Sequence, residues 1–108
     1  MATMKLTPEV LPLIAERFRA LADTARLHLL VCLREQSMTV TELAEETGMN
    51  QANTSKHLQV LHEKGFVKRE RSGLFVRYSL ANADVFKLCD VICGRLERES
   101  RARQRLMS

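Results

Sequence analysis

No stretch of this 108-residue chain approaches the roughly 18 consecutive apolar residues that a membrane span requires, and the opening MATMKLTPEV has no apolar core flanked by a cleavage site. Neither export nor insertion is expected, which points to the cytoplasm and to no membrane partner. Three cysteines, an odd number, do not close a disulfide framework and instead fit a reducing compartment, where thiols pack, bind metals or sense. Paired carboxylates, a nucleophile–base motif and a glycine-rich phosphate loop are also missing, so no catalytic residue and no enzyme are expected. Ser55 and His57 lie two apart on a helix, too far round to act as a pair. No internal repeat, low-complexity block or linker interrupts the chain. At the usual ~100–200 residues per domain, residues 1–108 form one domain. So small a domain buries proportionately little surface, and a second subunit is expected.

What is present is an average soluble composition, 45% hydrophobic and 28% charged, with an uneven charge distribution. Residues 1–49 carry 5 basic and 7 acidic groups (net −2), residues 50–81 carry 6 and 2 (net +4), and residues 82–108 carry 6 and 4 (net +2). A basic middle suits a polyanion such as DNA, and a solvated basic face is the plain alternative.

The elements follow from local signals. Thr7-Pro8 reads as a cap and a first-turn proline, but Pro12 interrupts the ladder, so the first regular helix restarts there and runs to about Ala22. Asp23 caps a second, central helix through Arg34, whose Leu27, Leu29, Leu30, Val31, Cys32 and Leu33 leave almost no polar face. Thr39 and Glu42 have capping-box spacing at the head of a short third helix ending at Gly48. Asn50 caps a fourth through about Lys64, with Leu58 and Leu61 inward. From Phe66 to Leu80 the period becomes two, with Val76, Tyr78 and Leu80 alternating against Arg77 and Ser79 and with Ser72-Gly73 as the turn, a two-stranded hairpin. Asn82 caps a last helix whose Val85, Leu88, Cys89, Ile92 and Leu96 make an apolar stripe in need of a partner, before an arginine-rich, solvated helix end open to fraying. The order is that of a mainly α winged helix-turn-helix with a small β-hairpin and additional N- and C-terminal helices. Residues 39–64 form the helix-turn-helix and 66–80 the wing, with 1–22 and 82–108 as the additional terminal segments.

Chemistry concentrates in the middle. In a helix-turn-helix the second helix enters the major groove, where Gln51 and Asn53 hydrogen-bond base edges, Lys56 contacts a guanine edge or a phosphate, Thr54 and Ser55 reach phosphates, and His57 serves either. The competing reading is the solvated face of an amphipathic helix. Lys68, Arg69, Arg71 and Arg77 around the Ser72-Gly73 tip favour DNA, since a basic ribbon beside that helix can straddle the backbone or the minor groove. Individually, each arginine also reads as a charged edge strand protected against aggregation.

Five segments in this order resemble the ArsR/SmtB-type winged-helix repressors of bacteria and archaea. These are Leu21-Ala-Asp-Thr-Ala-Arg-Leu27, Thr41-Glu-Leu-Ala44, Ser55-Lys-His-Leu-Gln-Val-Leu61, Gly65-Phe-Val67 and Arg77-Tyr-Ser-Leu80. The resemblance covers most of the chain. It implies a homodimer paired through the first and last helices, bound to double-stranded operator DNA and repressing its own operon until an inducer weakens binding. Thr24-Ala25 departs from the family's commoner proline-threonine pair, which bears on a local cap and not on the fold.

Two of the family's inducer sites are absent. Thr39-Val-Thr41 stands where the thiol site has Cys-x-Cys, and His28, His57 and His62 all precede the last helix, where the zinc site needs histidines. What remains is Cys89 and Cys93, four apart on one helical face, and Cys32 on the second helix. Two thiolates at that spacing suit As(III), Cd(II) or Zn(II), with a third ligand from Cys32 or the partner chain. Relatives that sense sulfide or persulfide bridge one cysteine on the second helix to one on the last, and Cys32 with Cys89 or Cys93 is similar. Inert packing of the thiols stands beside both readings. Cys93, at the stripe's flank beside Gly94, is the most accessible candidate, and Asp90 could support a metal or face water, with water the preferred reading. A constitutive regulator with silent cysteines, or a metal-binding protein without DNA function, are the alternatives; the latter leaves the basic middle unexplained.

Overall fold

Three polar side chains set the starts of successive helices in the computed structural model, which describes residues 4–107. Residues 1–3 and 108, the outermost positions of the expected dimerisation segments and of the expected domain 1–108, lie outside the described residues. The Asp23 carboxylate accepts from the Arg26 N–H at 3.0 Å and opens α2 (Thr24–Glu35). At the head of α3 (Val40–Thr47) the Glu42 N–H donates to Thr39 Oγ1 at 3.2 Å while the Thr39 N–H donates to Glu42 Oε1 at 2.9 Å. Asn50 Oδ1 accepts from the Asn53 N–H at 2.8 Å and opens α4 (Gln51–Glu63). Each cap satisfies an N–H with no carbonyl one turn back and contributes about 1 kcal/mol. α1 (Leu11–Leu21) lacks a side-chain cap, but Pro12 lies in its first turn, where an N–H is not needed, and the Thr7 carbonyl closes the lead-in turn on Val10 and Leu11. Gly48, at φ 76°, ends α3 in the left-handed region.

The sheet holds three antiparallel strands, β1 (Met38–Thr39), β2 (Val67–Ser72) and β3 (Phe75–Leu80), in the order β1-β3-β2. The expected two-stranded hairpin is the larger part of it. β1 pairs Met38 with Tyr78 and Thr39 with Arg77; two residues are too few to show alternation, and Thr39 doubles as the cap of α3. The turn is also shifted by one residue. Ser72 still pairs with Phe75, so Gly73 and Leu74 form the loop, and Gly73 takes the φ of 64° that lets a two-residue loop match the strands' twist.

The core joins Leu29, Leu30 and Leu33 of α2 to Leu43, Leu58, Leu61, Val67 and Tyr78. Burying one such leucine contributes about 1.5–3 kcal/mol. α2 is central, as expected, but not buried all round, since Val31 is 55% exposed. The last helix, α5 (Asp84–Met107), starts two residues beyond Asn82, whose Oδ1 accepts from the Asp84 N–H at 3.0 Å. Its buried side chains, Val85 and Phe86, lie in its first turn, where the Arg34 guanidinium stacks 4.5 Å over the Phe86 ring. Its arginine-rich end is helical through Met107 and exposed to solvent. The helix leaves the body of the molecule, and the radius of gyration is 16.9 Å against about 13 Å for a compact domain of this length.

Candidate nucleic-acid interface

α4 buries Thr54, Leu58 and Leu61. At 100° per residue, Ala52, Ser55, Lys56 and Gln59 fall within one arc roughly opposite these three, and all four are exposed. Gln51 and Asn53 flank the arc on either side, also exposed. Gln51 Nε2 donates to Thr41 Oγ1 at 3.2 Å, which ties the start of α4 to α3. Thr54 is not on this surface. It is fully buried and its hydroxyl donates to the Asn50 carbonyl at 2.8 Å, because a β-branched side chain at that position points into the core beside Leu58. Gln59, legible in the sequence only as polar surface, joins the arc through its i+4 spacing from Ser55.

The wing is fastened to this helix. Arg69 Nη1 donates to Gln59 Oε1 at 3.1 Å, and Gln59 Nε2 donates to Glu63 Oε1 at 3.0 Å. Strand register puts Arg69 and Arg71 on the β2 face shared with buried Val67, toward α4, and Lys68 on the other face. Among the described residues, Lys56, Lys68 and Arg71 make no hydrogen bond or ion pair through their side chains. Arg77 departs from the expected footprint. Its Nη2 donates to the Ser37 carbonyl at 2.9 Å and lies 3.4 Å from Glu42 Oε1, so it holds β1 and the head of α3 instead of lining the tip. The cause is the strand missed in the sequence, which lies alongside β3 at Arg77.

His57 is half-buried against Arg26. That guanidinium donates from Nε to the Ala20 carbonyl at 2.6 Å and from Nη2 to the Arg19 carbonyl at 3.1 Å, and its Nη1 lies 3.2 Å from His57 Nδ1. Because Arg has donors only, Nδ1 must accept, which leaves the ring proton on Nε2. One side chain thus closes the C-terminal end of α1 and braces α4. Asp23 is held under its ordinary carboxylate range by the Arg26 N–H, with the Arg26 charge adding to this and burial opposing it. Glu42 is likewise lowered, first by the Thr39 N–H, then by the Thr39 hydroxyl and Arg77.

The cysteines are all free thiols and divide between two places. Cys32 lines a cleft with His28, Glu35 and Glu46, and burial pushes its thiol up, reinforced by Glu46. Half-buried Cys89 lines an apolar groove of about 310 Å³ with Phe18, Leu21, Leu27, Leu88 and Ile92, and Cys93 is exposed. Among the described residues no group of three His, Cys, Asp or Glu side chains is placed to hold a metal ion. A three-cysteine site within one chain is therefore not formed, because Cys32 sits on the side of α2 facing α3 while Leu27 faces α5. No helix among the described residues is long and apolar enough to cross a membrane.

Residues 23–69 match the arsR family of bacterial regulatory proteins. The chain is 40% identical over 77 residues to the HTH-type transcriptional regulator NmtR of Mycobacterium tuberculosis, covering 71% of this chain and 64% of NmtR, just under two thirds of that relative's length. It is 35% identical over 98 residues to a transcriptional repressor SmtB homolog of Synechocystis, covering 86% and 74%. Among solved structures it resembles the homodimeric winged helix-turn-helix DNA-binding domain of a possible ArsR-family regulator from Mycobacterium bovis. That match has a TM-score of 0.73 and 31% identity, covering 90% of this chain and 91% of that one.

Proposed function

Because this chain belongs to the ArsR family of bacterial regulatory proteins, we propose that it is a homodimeric transcriptional repressor of the cytoplasm, released from operator DNA by an inducer acting at cysteine thiols. The observation that carries the DNA reading is the joined surface of α4 and the wing, where the Arg69–Gln59 bond makes one unit of an exposed polar helix face and a basic ribbon. Within residues 39–64, Lys56 and Ser55 face the major groove, with Gln51 and Asn53 at its rims and His57 offering Nε2–H. Within the wing, 66–80, Arg71, Arg69 and Lys68 meet phosphates; Thr54 and Arg77 keep structural roles.

The dimer reading rests on apolar surface. Leu13 and Phe18 of α1 and Leu88, Ile92 and Leu96 of α5 are exposed, and segments 1–22 and 82–108 supply the pairing helices. The homodimeric relative from Mycobacterium bovis supports the same assembly. Two-fold pairing calls for a pseudo-palindromic operator.

Inducer action is assigned to α5, where Cys93 is exposed and Cys89 lines the groove between the pairing helices. A soft ion such as As(III) would need a third ligand from the partner subunit, whereas a reactive sulfur species needs only the thiols. Either acts by favouring a dimer geometry in which both α4 helices cannot dock, since an effector shifts an equilibrium only through differential affinity.

The test is binding of the reduced chain to DNA from its own promoter at fixed salt, titrated separately with arsenite, Cd(II) and a persulfide donor, with Cys93→Ala alongside. One agent is expected to release the natural chain and not the variant. Tight binding indifferent to all three removes the thiol reading and returns the constitutive regulator; no binding at all removes the DNA reading.

A further inference from the structure

Apolar surface left open on α1 and α5 belongs to the pairing helices, but one further apolar patch does not. Leu74 is 98% exposed and Phe75 62%, with Val76 also exposed behind them. They stand at the tip of the β2–β3 ladder, at the opposite end from the pair of buried Val67 and half-buried Leu80, and neither Leu74 nor Phe75 joins the core. The turn itself requires only Gly73, so nothing in the hairpin's geometry asks for a leucine beside it.

The surroundings identify what covers this tip. Register places Arg71 opposite Val76 on the face shared with Arg69 and α4, and Ser72 opposite Phe75 on the other face, with Leu74 at the apex. Arg71, which makes no side-chain hydrogen bond or ion pair among the described residues, therefore stands beside the tip on the α4 side, while Glu70 lies on the face of Phe75. A nucleic-acid groove continuous with the α4 surface supplies phosphates along both walls for Arg71 and, once a base step is parted, apolar base faces for Leu74 and Phe75.

We propose that Leu74 and Phe75 form a wedge that enters the minor groove beside the α4 site, parts one base step and bends the operator. The inference rests on the DNA-binding reading above. Apolar side chains inserted from the minor groove unstack a step, and the bend lets more protein surface meet the backbone. Pyrimidine–purine steps open most easily, so the wedge adds sequence preference at bases that no polar side chain touches.

The test begins by selecting a preferred duplex from a random pool with the whole chain. That duplex is labelled at its ends for energy transfer, with 2-aminopurine at pyrimidine–purine steps flanking the bases that α4 protects. The natural chain is expected to shorten the end-to-end distance and brighten one 2-aminopurine per half-site. Leu74→Ser with Phe75→Ser should abolish both signals and weaken binding roughly tenfold, with the salt dependence unchanged because no phosphate contact is lost. Arg71→Ala should instead flatten the salt dependence and leave the brightening. Thermal melting of the free variants reports on the fold, and Leu74→Ser alone carries the same expectation should the pair impair folding. Straight DNA with the natural chain, or brightening kept by the serine variants, overturns the wedge while leaving DNA binding intact. Altered sedimentation of the free serine variants overturns it by placing the tip in a protein contact. Failure to select any preferred duplex overturns the DNA reading and the wedge with it.

Discussion

Asp23 and Glu42 are carboxylates whose negative charge is used by backbone N–H groups at the heads of α2 and α3, and their ionisation is therefore tied to the fold. Both titrate below their ordinary values of 3.8 and 4.5. A lowered folded value means that the contribution to stability is fully present above the ordinary value and is lost as pH falls through the lowered one. Stability to urea is thus expected to be insensitive to these two groups above about pH 5 and to decline from about pH 4.5 downward. Asp23→Asn with Glu42→Gln should flatten that acid limb, which urea unfolding from pH 3 to 7 measures; an unaltered limb would show that the caps do not couple to it. Caps of this kind are legible in a sequence because donor and acceptor lie three residues apart. Thr54, His57 and Arg77 were not, since the facts that decide them, burial beside Leu58, the Arg26 guanidinium and the neighbouring β1, lie in other elements. Arg26 itself could be read only as part of a family-like run, although it braces α1 against α4.

Among the elements, the helices and the hairpin strands were legible almost to the residue, and β1 and the exact position of the turn were not. Helix starts carry chemical markers, whereas a two-residue strand carries none, and the shift of the turn to Gly73–Leu74 hid the apolar tip behind an assumed polar one. α4 and the wing divide the work of binding DNA, so their variants should differ in kind. Gln51→Ala is expected to relax base preference, with a loss of about 1–3 kcal/mol in discrimination and a smaller general loss. Arg71→Ala should weaken binding to every duplex and lower the magnitude of the salt slope by about one. Titration of a preferred and a scrambled duplex across a salt series separates these outcomes. Equal losses on both duplexes for Gln51→Ala would contradict base reading there.

For the whole molecule, the described residues close one core and leave an apolar seam along α1 and α5. Ile92, 58% exposed on that seam, should lose about 1.5–3 kcal/mol of burial per copy if replaced by a charged side chain. Ile92→Glu is expected to yield monomers and a lower melting temperature, and the natural chain's melting temperature should rise with its concentration. Sedimentation and melting over a dilution series check both, and a variant that dimerises as tightly as the natural chain would place the seam elsewhere. The basic middle and the apolar stripes were visible as patterns, but nothing in them announced how little of α5 is held by its own chain. Twenty-four residues at 1.5 Å each make an arm of about 36 Å, pinned at one end by Val85 and Phe86. A swing of about 9° at that pin carries Met107 through roughly one 5.4 Å helical pitch. α5 is a lever with two side chains for its fulcrum, and a shift too small to disturb the core grows, at its far end, to about one turn of a helix.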